Sequence, residues 1–129
     1  MSLLLDTHAF LWMVDDPQRL APAARAAVSE SSTDLHLSIA SIWELAIKAG
    51  LGKLELPFPI GEFVSTRLAR TRTDVLAIST AHAVAVAGLP RHHGDPFDRM
   101  LVAQARADGL TLVSADPAFR LYDVPVLWA

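Results

Sequence analysis

The 129-residue chain has no cysteine, which removes thiolate nucleophiles, cysteine-held zinc, iron–sulfur clusters and disulfides in one step. Any metal must be held by oxygen or imidazole ligands. Positive charge is also short, with 11 Lys and Arg against 14 Asp and Glu and a formal charge of -3. A protein that grips nucleic acid by bulk charge needs several cations on phosphates, so this class is disfavoured. Long apolar runs are missing too. The longest stretch without a charged side chain, residues 75–90, is broken by Ser79, Thr80, His82 and Gly88 and falls short of the ~20 apolar residues that span a bilayer. Met1-Ser2-Leu3-Leu4-Leu5-Asp6 has no basic segment before its leucines, so a signal peptide is excluded and a cytoplasmic protein without membrane contact is expected.

What is present is a 52% hydrophobic chain of the size of one domain, with no linker, repeat or low-complexity stretch. Residues 1–129 are therefore expected to form a single domain. Short apolar runs predict strands at residues 2–5, 35–39, 75–78, 110–113 and 124–128. Helical spacing predicts helices at 7–14, 21–29, 41–49, 59–71, 80–87 and 96–107, punctuated by Asp15-Asp16-Pro17, Gly50 and Gly52. The strands are almost wholly apolar and alternate with helices, the pattern of a parallel sheet covered on both faces. The expected fold is a three-layer α/β/α sandwich with a mostly parallel central sheet. Trp12, Trp43 and His8 are expected to pack inside, while Arg67, Arg70 and Arg72 form a solvated basic face.

In such sheets function gathers beyond the carboxyl ends of the strands. Two predicted strands lead into acids there, Asp6 and Asp116, while Glu44 and Asp98 fall in predicted first helical turns. Each has a structural account. Asp6 and Asp116 can cap helical turns; Ser41-Ile42-Trp43-Glu44 matches a capping box; Asp95-Pro96-Phe97-Asp98 reads as cap, first-position proline and dipole-favoured acid. Capping explains each acid singly, but in these positions all four can face one crevice, an arrangement that capping does not require. Clustered carboxylates repel, and a bound cation relieves them. Oxygen donors without sulfur suit Mg²⁺ or Mn²⁺, and such a site suits hydrolysis of a phosphodiester.

The residues that carry this pattern resemble a known family. Leu4-Leu5-Asp6-Thr7-His8-Ala9-Phe10-Leu11-Trp12, Ser41-Ile42-Trp43-Glu44-Leu45-Ala46-Ile47-Lys48, His93-Gly94-Asp95-Pro96-Phe97-Asp98-Arg99-Met100-Leu101-Val102-Ala103-Gln104-Ala105 and Val113-Ser114-Ala115-Asp116 are similar to the motifs of PIN domains, and among them of the VapC-type toxins. The resemblance implies a PIN-like fold and a Mg²⁺- or Mn²⁺-dependent endoribonuclease with an acidic quartet at Asp6, Glu44, Asp98 and Asp116. It implies supporting roles for Ser114, Asp95 and Thr7. It further implies a toxin–antitoxin pair, with an RNA substrate, a cognate antitoxin protein and a homodimer as partners. Arg99, His92 and His93 are candidate RNA contacts, with a helix-surface ion pair or loop fixing as the plainer readings.

Two rivals remain at this level. An aspartyl-phosphatase-like hydrolase also starts with an acid after its first strand, but wants a second acid where His8 stands. A non-catalytic α/β binding module of receiver type wants a late lysine, and the only lysines are Lys48 and Lys53. The charge balance also reads differently once four acids are assigned to a site, because ten acids then face eleven bases. RNA engagement is then expected to depend on divalent metal.

Overall fold

The computed structural model describes residues 1–129. Five strands, β1 (Ser2–Leu5), β2 (Asp34–Ser38), β3 (Thr73–Leu76), β4 (Thr111–Ser114) and β5 (Val126–Trp128), form one sheet in the order β3-β2-β1-β4-β5. Every neighbouring pair runs parallel. Six helices surround it: α1 (Thr7–Asp15), α2 (Pro22–Ser29), α3 (Ile39–Gly50), α4 (Ile60–Thr71), α5 (Thr80–Ala85) and α6 (Pro96–Asp108). The expected α/β/α sandwich is the observed fold, and its sheet is parallel throughout.

The apolar runs have a direct cause. Leu3 and Leu5 of β1 enter one core with Phe10, Leu37, Leu45 and Phe63, while Leu4 enters a second core with Leu101, Val102, Leu112 and Phe119. A strand buried on both faces has no side on which a polar residue is cheap. The chain steps outward from β1 to β3, then returns to place β4 against the other side of β1. The direction of winding therefore reverses between β1 and β4, where the two connections part and leave a crevice at the carboxyl ends of the strands. Asp6 closes this junction, its backbone N–H donating to Val113 O at 3.0 Å.

Several boundaries differ from the sequence expectation. Helix α3 starts at Ile39, two residues early, because the Ser38 hydroxyl at the end of β2 accepts the Ala40 N–H at 3.0 Å and caps it. Strand β3 starts at Thr73, also two residues early, because Arg72 ends α4 in the left-handed conformation with φ 52°. The same turn at the end of α6 uses Gly109 at φ 67°, where the missing side chain removes the steric cost. Trp43 is 59% exposed and meets Phe97 edge-on, and His8 is exposed, so neither is core. Arg67 is half-buried, with Phe58 at 5.3 Å and Phe63 at 4.8 Å, so the basic face of α4 is only partly solvated.

Candidate active site

Four elements deliver the four acids. Asp6 follows β1 and caps α1, accepting the Ala9 N–H at 2.8 Å. Asp116 follows β4 and caps a short 3₁₀ turn, accepting the Ala118 N–H at 2.9 Å. Asp98 is the third residue of α6, just inside the cap formed by Asp95, whose Oδ1 accepts the Phe97 and Asp98 N–H groups at 2.9 and 3.1 Å. Glu44 lies in the second turn of α3, so the capping-box reading does not hold: Ser38 is the cap. Its carboxylate is instead held across the fold, accepting the Thr7 hydroxyl at 2.5 Å and the Lys48 ammonium at 2.8 Å.

Burial and proximity then set the electrostatics. The Asp6 carboxyl is raised from its ordinary value, chiefly by burial and slightly by Asp116, against the lowering pull of the Ser114 hydroxyl, the Ala9 N–H and His8. Asp98 is pushed up to about 7, first by burial and then by the charges of Asp95, Asp116, Asp6 and Glu44. The other three candidate acids and Asp95 thus all bear on this one carboxyl. Ser114, fully buried, stands between the two strand-end acids: its oxygen accepts the Asp116 N–H at 3.0 Å and its hydroxyl acts on Asp6.

The donor set fits a hard divalent cation. It is all oxygen, it is self-repelling, and the ammonium of Lys48 pairs with only one member, Glu44. No three of the carboxylates and imidazoles stand close enough to share an ion as they lie.

The three candidate RNA contacts separate. Arg99 commits its guanidinium to the protein, with Nη1 donating to Pro90 O at 2.7 Å and the Tyr122 hydroxyl at 3.1 Å, and Nη2 to Val86 O and Leu89 O at 3.4 Å. It braces a loop and is not a free phosphate ligand. His92 is exposed and meets Tyr122 edge-on. His93 turns inward, with Nδ1 2.6 Å from the Tyr122 hydroxyl and Nε2 3.5 Å from Asp98 Oδ2. Lys48 and Tyr122 were not singled out as site residues from the sequence. Lys48 is marked by its four-residue spacing from Glu44, a favourable ion-pair spacing on a helix. Tyr122 falls with Phe119 in the stretch after Asp116 that shares the family resemblance, but its place beside His93 depends on how the segment after β4 folds back.

The chain is a parallel α/β/α domain with acids following two central strands at its switch point. Residues 3–125 match the model of the PIN domain, and the chain belongs to the PIN-domain family. It is 34% identical over 124 residues to ribonuclease VapC22 of Mycobacterium tuberculosis, covering 96% of this chain and 94% of that one. Its fold is shared with the VapBC2 complex of Rickettsia felis bound to a promoter DNA fragment, with a TM-score of 0.75 at 15% identity, covering 99% and 98% of the two chains. The DNA-bound VapBC of Salmonella typhimurium gives a TM-score of 0.72 at 20% identity over the same shares.

Proposed function

We propose that this chain is an endoribonuclease that hydrolyses RNA phosphodiester bonds with Mg²⁺ or Mn²⁺, and that it is the toxin of a toxin–antitoxin pair acting in the cytoplasm. The reading is supported by the Asp98 carboxyl, pushed up to about 7 by burial and by the charges of Asp95, Asp116, Asp6 and Glu44, which come from different elements. The kinship with ribonuclease VapC22 supports the ribonuclease and toxin parts of it.

Asp6, Asp98 and Asp116, with Glu44, would hold the ion. When bound, a divalent ion offsets the charge of the phosphodiester and lowers the pKa of an attacking water. The chain's own residues prepare the place for it. Ser114 and the Ala9 N–H fix Asp6, and Thr7 and Lys48 fix Glu44. Asp98, near the midpoint of its titration at pH 7, can hold a proton until a cation displaces it. Asp95 stays a cap three residues away.

An apolar stripe supports a protein partner. Ile39, Trp43, Ile47 and Leu51 follow one another at four-residue spacing along α3, all exposed, beside a cleft of about 750 Å³ lined by Ile78, Val86, Phe97 and Met100. Exposed apolar ground of this kind marks contact surfaces, and we assign it to a second copy of the chain, leaving the acid crevice open to RNA. Light scattering should report a dimer that Trp43→Glu converts to monomer.

Purified, metal-replete protein incubated with total cellular RNA should produce discrete new ends that identify the substrate. Asp98→Asn should produce none while keeping the fold. Cleavage by Asp98→Asn at the wild-type rate would make the site assignment wrong.

A further inference from the structure

The loop before α6 and the segment after β4 meet Asp98 through a chain of polar contacts that the acid cluster alone does not explain. It starts at Arg99, which can only donate. Its Nη1 donates to the Tyr122 oxygen at 3.1 Å, so that hydroxyl already accepts a bond and keeps its own hydrogen to give. Tyr122 is 5% exposed, and a hydroxyl hydrogen aimed at nothing there would be left buried and unsatisfied. The acceptor within reach is His93 Nδ1, at 2.6 Å. With Nδ1 accepting, a neutral imidazole carries its hydrogen on Nε2. That nitrogen is buried, has no hydrogen-bond partner, and lies 3.5 Å from Asp98 Oδ2.

We propose that Arg99, Tyr122 and His93 form a one-way chain of hydrogen-bond donation that leaves the last hydrogen, on His93 Nε2, facing Asp98 Oδ2, and that His93 is the positioning residue that orients this carboxylate. The direction is imposed at the far end by the arginine, whose Nη1 and Nη2 are also anchored on the carbonyls of Pro90, Val86 and Leu89. The tyrosine passes that direction to the imidazole and so selects its tautomer. A ligand-holding carboxylate whose partner is fixed in this way loses less rotational freedom on taking a cation, and removing such partners typically weakens metal binding about 10- to 100-fold. The positioning role rests on the reading of Asp98 as a metal-holding acid, whereas the direction of the chain can be measured without metal.

The test has two arms on the full chain. Long-range proton–nitrogen NMR at pH 8 without metal reads the tautomer of each of the five histidines. His93 should carry its hydrogen on Nε2, and Tyr122→Phe, which removes one oxygen and little else, should convert it to a mixture. A hydrogen on Nδ1 in the wild type, or an unchanged tautomer in Tyr122→Phe, overturns the chain. In the second arm, calorimetry with Mn²⁺ should find binding about tenfold or more weaker in His93→Leu, and largely recovered in His93→Gln, whose amide N–H can serve the same oxygen. Melting temperature checks that both variants fold; should His93→Leu fail, Tyr122→Phe carries this arm as well. Wild-type affinity in a folded His93→Leu overturns the positioning role. A wild type that binds no Mn²⁺ overturns the proposed function and the positioning role with it, whatever the tautomer.

Discussion

Two histidine–aspartate pairs lie near opposite ends of α6, and they differ in how fully they are satisfied. At the C-terminal end, His82 is 5% exposed with both ring nitrogens engaged: Nδ1 accepts the Ser79 N–H at 3.1 Å and Nε2 meets Asp108 Oδ1 at 3.1 Å. Gln104 adds a bond to Ala77 O at 3.3 Å and so ties α6 to the segment before α5. At the N-terminal end, His93 satisfies only Nδ1, and its Nε2 faces Asp98 without a hydrogen bond. Asp108 is one exposed acid beside a buried imidazole, while Asp98 is pushed up to about 7 by burial and four neighbouring acids. The first pair completes a fold. The second leaves its imidazole less fully bonded and bears the charge repulsion on Asp98, although the first network also leaves Gln104 Oε1 without a partner.

Substitutions should separate the two ends. The largest effect is expected from Asp98→Asn, which should take RNA cleavage to background while melting at or above the wild-type temperature without metal, because it removes a repelled charge. His82→Ala should do the reverse. It leaves the Ser79 cap and Asp108 without their partner and should lower stability by roughly 2 kcal/mol in urea unfolding, with Mn²⁺ affinity unchanged.

The pH response should show the same contrast. The Asp98 carboxyl is raised from 3.8 to about 7 in the fold. Between those values the folded chain keeps a proton that the unfolded chain has released, so raising the pH through this window should destabilise the metal-free protein, levelling off above about 7. Thermal melts across that range should fall with pH in the wild type and in His82→Ala, and fall less steeply in Asp98→Asn, where the raised Asp6 carboxyl still contributes. The smallest effect is expected from Asp95→Asn. Asparagine caps about as well as aspartate, and the loss of the strongest charge acting on Asp98 should move the steep part of the melting profile toward lower pH with little change in cleavage.

The strands, the helices and the strand-end positions of Asp6 and Asp116 were legible because they depend on local patterns. Leu3, Leu4 and Leu5 announce a strand buried on both faces, and Asp95-Pro96 announces a helix start. Glu44 was misread in its local role. Ser41 and Ser38 are equally good caps by composition, and the choice fell to Ser38 because the strand ends there. Trp43 was read as core from its apolar neighbours, and Ile42 and Leu45 do turn into the core, but Trp43 falls with Ile39 and Ile47 on the exposed face of α3. The motif around Asp98 pointed to the site, yet the contribution of Tyr122 rests on a contact 29 residues from His93. No periodicity records such a contact.

The central claim is that the acid cluster is a divalent-cation site through which RNA is cut. Mn²⁺ titration of the purified chain near pH 7, followed by calorimetry in buffers of different ionisation heat, tests it most directly. Binding should release part of a proton from Asp98, and Asp98→Asn should lose both the binding and the release. Absence of binding, or binding that Asp98→Asn leaves unchanged, would contradict it.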